Sequence, residues 1–128
     1  MYRILVADDD AMMLRLMRHT LKPEGFEVLT CADGRSVLDA APADLPDLVV
    51  LDVHLPDLPG HEVCRRLKAD PRTRHIPVLL LTGEARAVSS RVQGLEAGAE
   101  DYLFKPISGA VLVSRINSIL KVAARPMK

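Results

Sequence analysis

Asp47-Leu48-Val49-Val50-Leu51-Asp52 is apolar at every position between its two acids. A strand with one face in water alternates apolar and polar side chains, whereas a strand covered on both faces does not. The run therefore reads as an inner strand of a parallel sheet with helices on both sides, and it delivers the carboxylate of Asp52 at its end. Ile76 to Leu81 has the same apolar character apart from Pro77. Three further runs complete the set: Ile4-Leu5-Val6-Ala7, Phe26 to Cys31 behind the breaker Pro23-Glu24-Gly25, and Tyr102-Leu103-Phe104.

The segments between these runs carry a helical period. Leu14, Met17 and Leu21 fall on one face, with Arg15, Arg18 and Lys22 pointing outward. A short second helix is expected from about Ser36 to Ala41, stopped by Pro42. The third gathers Val63, Cys64 and Leu67 and stops before Pro71, and the fourth aligns Val88, Val92 and Leu95 and ends at Gly98. The last starts behind Ser108, a good N-cap, with Leu112, Ile116 and Ile119 on one stripe. Strand and helix alternate throughout, the pattern of an α/β domain.

At 128 residues the chain fits one domain able to bury roughly two-thirds of its unfolded surface, so it needs no disulfide or structural metal to fold. Seventeen basic side chains balance 17 acidic ones, which gives no reason to expect nucleic acid or an anionic membrane as partner. No apolar run reaches the roughly 20 residues that a membrane span needs. Met1-Tyr2-Arg3-Ile4 enters the first strand at once, leaving no room for a signal peptide, so a cytoplasmic location is expected. Cys31 and Cys64 lie in apolar stretches without ligand spacing and read as buried reduced thiols.

Open α/β sheets carry their chemistry just past the carboxyl ends of the strands. Asp8, Asp9 and Asp10 follow the first strand, Asp52 the third, Thr82 the fourth, and Lys105-Pro106 the fifth. Carboxylates of Asp8, Asp9 and Asp52 gathered at neighbouring strand tips repel one another, and a hard divalent cation such as Mg²⁺ resolves the conflict. Asp10 reads as a helix N-cap. Taken alone, Lys105 is as compatible with a surface lysine and Thr82 with a strand-capping hydroxyl. Beside the acids, the lysine suits a carboxylate or phosphoryl oxygen and the threonine becomes a phosphoryl-oxygen ligand. Pro106 implies a constrained turn, with a cis peptide as one form, that fixes where Lys105 points.

Ile4-Leu5-Val6-Ala7-Asp8-Asp9-Asp10, Asp47 to Asp52, Pro56-Asp57-Leu58-Pro59-Gly60, Leu80-Leu81-Thr82 and Asp101-Tyr102-Leu103-Phe104-Lys105-Pro106, in this order and spacing, resemble the receiver domain of two-component response regulators. The resemblance covers about residues 2 to 122. It implies a flavodoxin-like doubly wound (βα)5 fold with a five-stranded parallel sheet in the order 2-1-3-4-5, spanning residues 1–122, with 123–128 as a tail or the start of a linker. It further implies Asp52 as phosphoacceptor, Asp9 as a direct Mg²⁺ ligand with Mn²⁺ as a substitute, Asp8 holding a metal-bound water, and His54 contributing its backbone carbonyl. Lys105 would pair with Asp52 and then with the phosphoryl group. Thr82 would move towards the phosphate and Tyr102 would swing inward behind it, remodelling the face of the fourth helix, fifth strand and fifth helix. A sensor histidine kinase or histidine phosphotransfer protein is the implied donor, and that face is a candidate for homodimerisation, to which the apolar cluster Val111-Leu112-Val113 contributes. No recognition helix is encoded, so direct nucleic-acid binding is not expected.

Three other readings are weighed against this one. A flavodoxin-type electron carrier needs a small-residue phosphate loop where this chain has three aspartates, and only 3% of residues are aromatic. A haloacid-dehalogenase-like phosphatase needs a second aspartate two residues after the nucleophile, where this chain has His54. A phosphorylation-independent interaction module has no need of the whole set Asp8, Asp9, Asp52, Thr82 and Lys105. His54 and Glu84 are candidates for tuning acyl-phosphate lifetime, and Gly83 leaves room for a phosphate. His19, His61 and His75 show no ligand spacing and read as solvated.

Overall fold

The computed structural model describes residues 1–83 and 97–123. Strands β1 (Arg3–Ala7), β2 (Glu27–Cys31), β3 (Leu48–Asp52), β4 (Val78–Thr82) and β5 (Asp101–Phe104) alternate with helices α1 (Ala11–Leu21), α2 (Gly34–Asp44) and α3 (Gly60–Ala69). A C-terminal helix covers Gly109–Ala123. The expected fourth helix, with Val88, Val92 and Leu95, lies outside the described residues. Gly98 does hold the left-handed conformation expected of it, with φ +98°. No helix among the described residues is long and apolar enough to cross a membrane.

All strand pairs are parallel, in the order β2-β1-β3-β4-β5. The chain leaves β1 towards one edge and returns to β3 on the other side, so the order reverses between β1 and β3. The crevice at their carboxyl ends is where such sheets bind ligands. Both strands are buried on both faces, as their unbroken apolar runs require. Leu5, Val49, Leu51, Val78 and Leu80 pack with Val63, Cys64 and Leu67 of α3, while Ile4, Val6, Leu48, Val50, Leu79 and Leu81 pack with Met17 and Leu21 of α1 and Leu112, Ile116 and Leu120 of the C-terminal helix. Ile119 is only partly buried, and Leu120 takes the inner place beside it.

The second helix corrects an expectation. It begins at Gly34, includes Pro42 and continues to Asp44. Proline removes its own N–H donor and crowds the carbonyl four residues before it, and here that cost falls near the end of a helix already anchored at its start. Asp33 accepts from Ser36 N–H at 2.8 Å, and the carboxylate of Asp57 accepts from Gly34 N–H at 2.7 Å and Arg35 N–H at 2.9 Å. The helix closes where Leu45, at φ +46°, donates its N–H to the carbonyl of Ala41 at 2.9 Å. Those two N–H groups hold the Asp57 carboxyl below its ordinary pKa.

Cys31 and Cys64 are buried and free, and burial pushes both thiols up to about 11. At neutral pH they carry almost no thiolate and act as small apolar side chains.

Candidate functional site

Asp8 follows the last residue of β1, and Asp52 is the last residue of β3. The parallel register that pairs Ala7 with Leu51 brings their carboxylates to one crevice. Asp8 is 1% exposed; its N–H donates to the Cys31 carbonyl at 3.1 Å, and its Oδ1 accepts from Asp10 N–H at 3.0 Å. Asp10 is the expected N-cap, accepting from Met12 N–H at 3.0 Å. Asp52 is 7% exposed, and its Oδ1 accepts from the N–H of His54 at 2.9 Å. Asp9 is exposed. One carboxylate oxygen from each of Asp8, Asp9 and Asp52 lies within 4.8 Å of the others.

Lys105 reaches this cluster from the end of β5. Its Nζ donates to Asp52 Oδ2 at 2.8 Å and to Asp8 Oδ2 at 2.9 Å. Its N–H donates to the Thr82 carbonyl at 2.6 Å, which ties the ends of β4 and β5 together. The peptide to Pro106 is cis. Thr82 closes β4 in full burial, one residue past Leu81, the partner of Asp52.

The electrostatics follow from these contacts. Burial favours the neutral form of Asp8 more than its hydrogen bonds from Asp10 N–H and Lys105 favour the charge, so its pKa is raised. Burial acts in the same direction on Asp52, but hydrogen bonds from Lys105 and His54 N–H outweigh it, and its pKa is lowered. Burial also disfavours the Lys105 ammonium; the hydrogen bonds to Asp52 and Asp8 more than compensate, and its pKa is raised. Asp52 is thus held in its charged form by Lys105 and the His54 N–H. Fully ionised, three carboxylates face one ammonium, a surplus of two negative charges among hard oxygen donors. That surplus and ligand chemistry fit a divalent cation of the Mg²⁺ class.

His54 is exposed two residues after Asp52, and Glu84 lies outside the described residues. A Cβ on Gly83 would meet nothing within 4 Å, so packing does not account for glycine there. His19 and His75 are exposed. His61 is not: at 8% exposure it is buried, because α3 turns it towards β5, where its ring stacks on Tyr102 with centroids 6.1 Å apart and planes 21° apart. Tyr102 is 3% exposed and belongs to the core cluster on the α3 side of the sheet.

Gly60 is a further site residue, legible in the sequence only as the last position of the motif Pro56 to Gly60. Its N–H donates to the Val53 carbonyl at 2.8 Å, and a Cβ there would lie 2.5 Å from the Asp52 carbonyl oxygen and 2.8 Å from Val53 Cα. Gly60→Ala must push α3 away from the Asp52 backbone. We predict a stability loss of roughly 1–3 kcal/mol, the usual cost of overpacking. Urea midpoints measured on the variant check this, and a wild-type value would show that the close approach can relax.

Residues 4–117 match the family model of the response regulator receiver domain. The response regulator PleD of Caulobacter vibrioides is 48% identical over 120 residues, which are 93% of this chain and 26% of that protein. A receiver domain protein of Methanospirillum hungatei superposes with a TM-score of 0.90 at 28% identity, covering 96% of each chain. The BeF3-activated receiver domain of DrrB does so at 0.81 and 38% identity, covering 94% of this chain and 98% of that one. The chain spans about a quarter to a half of the length of the first curated relatives it matches.

Proposed function

The chain belongs to the family of response regulator receiver domains, and on that premise we propose that Asp52 accepts a phosphoryl group from a phosphohistidine in a Mg²⁺-dependent reaction. It is a signalling phosphoacceptor of two-component systems rather than a conventional enzyme. The observation that carries the assignment to Asp52 is the Lys105 Nζ held between Asp52 and Asp8 at 2.8 and 2.9 Å, with Asp9 completing the acidic cluster.

In the proposed transfer a carboxylate oxygen of Asp52 attacks phosphorus in line. The new O–P bond forms as the N–P bond breaks, and the donor imidazole leaves with the electron pair. Lys105 keeps its charge throughout and passes from Asp52 to a phosphoryl oxygen. The Thr82 hydroxyl donates to another, and Tyr102 occupies the space behind it. Asp9, Asp52 and the His54 carbonyl are the proposed direct ligands of Mg²⁺, or of Mn²⁺ in its place, with Asp8 acting through a water. The bound ion would offset charge on the phosphoryl oxygens.

Receiver domains pair with histidine kinases; the proposed donor here is a sensor kinase or a histidine phosphotransfer protein, acting on a cytoplasmic domain of residues 1–122 followed by a tail or linker. Self-association is proposed on the face of β5 and the C-terminal helix, where Phe104 is 40% and Val111 47% exposed. Val113 packs partly against the core, so the test falls on its exposed neighbour: Val111→Glu is predicted to weaken association in sedimentation experiments, and unchanged association would remove that face from consideration. Incubation with acetyl phosphate tests the central reading by intact mass. One phosphoryl adduct is expected with Mg²⁺, and an equal yield in EDTA would overturn the metal-dependent mechanism.

A further inference from the structure

His61 is the second residue of α3, directly after the glycine that packs on the acceptor backbone. The Gly60–Val53 hydrogen bond of 2.8 Å and the absence of a Cβ at Gly60 lock the start of α3 against the end of β3. From this fixed base the His61 ring reaches across to β5 and lies nearly parallel to the ring of Tyr102, at 6.1 Å and 21°. Phe104 meets the same ring at 5.5 Å and 59°. The Tyr102 hydroxyl is buried with no hydrogen-bond partner among the described residues. A buried phenol usually finds such a partner; among the described residues, ring contacts rather than a hydroxyl bond hold this side chain inward.

We infer that His61 is a positioning residue for the switch: its ring, fixed on α3 against the end of β3, holds Tyr102 in the buried rotamer. This rests on the phosphoacceptor reading and adds a fixed restraint on Tyr102 to the proposed movement of Thr82. Thr82 acts from β4, where it draws towards the phosphate. His61 acts from a helix that does not have to move, and it sets how readily Tyr102 leaves the core. An offset aromatic pair is worth a shift of about two- to tenfold in such a rotamer ratio.

The test uses the whole chain labelled with 3-fluorotyrosine in a Tyr2→Phe background, which leaves Tyr102 as the single ¹⁹F reporter. A soluble paramagnet then distinguishes buried from exposed ring populations, with and without Mg²⁺ and beryllofluoride. His61→Ala and His61→Leu, the latter keeping apolar bulk without a ring, are expected to raise the exposed population about two- to tenfold in the unliganded protein. His61→Phe should keep the wild-type ratio. A ringless variant that retains that ratio, or His61→Phe losing it, overturns the inference. Failure of the wild type to take up a phosphoryl group from acetyl phosphate would instead sink the phosphoacceptor reading, because the rotamer ratio is read in the unliganded protein.

Discussion

Asp52→Asn is expected to take up no phosphoryl group from acetyl phosphate and Mg²⁺ under conditions that saturate the wild type. The substitution keeps the shape of the side chain and removes its nucleophile, since the amide lone pair is delocalised and no oxygen carries a full charge. Asp52 is 7% exposed at the end of a strand buried on both faces, so shape matters for keeping the fold. An amide oxygen can still accept from His54 N–H. The lost charge also relieves Asp8, whose proton affinity Asp52 raises. Stability should therefore change by no more than about 1 kcal/mol, within the range of ordinary substitutions. Intact mass and a urea titration on the same preparation separate the two effects. An adduct on a folded Asp52→Asn chain would place the acceptor elsewhere.

Lys105→Ala carries the second largest expected effect. Phosphoryl uptake should fall by about 10²–10³-fold, the usual result of removing one preorganised charge donor from a transfer site. The variant also has a distinct pH signature. In the wild type the pKa of Asp52 is lowered, so this group contributes stability above the ordinary carboxylate pKa and loses it as pH falls through the folded value. Without Lys105, burial acts on Asp52 with only the hydrogen bonds from His54 N–H and Asp8 in opposition, and its pKa moves up. Asp8 loses a hydrogen bond that lowers its pKa and moves further in the same direction. Both raised groups then oppose folding as pH rises through the unfolded value. Wild type and variant should converge in stability below about pH 3 and diverge above about pH 5. Denaturation midpoints in EDTA check this, and parallel curves would mean that Lys105 does not control the two carboxyls.

The convergence of Asp8, Asp52 and Lys105 was legible because a parallel sheet places strand ends in one row, and the apolar runs mark those ends within one or two residues. The cap at Asp10 was legible for the same local reason. What escaped was non-local. Pro42 looks like a stop until Asp57, 23 residues beyond Gly34, is seen holding the other end of the helix. His61 looked solvated because nothing near it in sequence announces that its helix face turns onto Tyr102, 41 positions later. Gly60 showed no sign of its closeness to the Asp52 backbone, since a missing side chain leaves no mark on an apolar pattern.

That closeness gives the site an anvil. With the α3 backbone pressed against the carbonyl of Asp52, the backbone of this residue has little room to recoil. On the proposed reading, a phosphoryl dianion added to its side chain would meet a stiff wall on the α3 side. The wall left to answer it would be the one formed by Thr82 and the ends of β4 and β5.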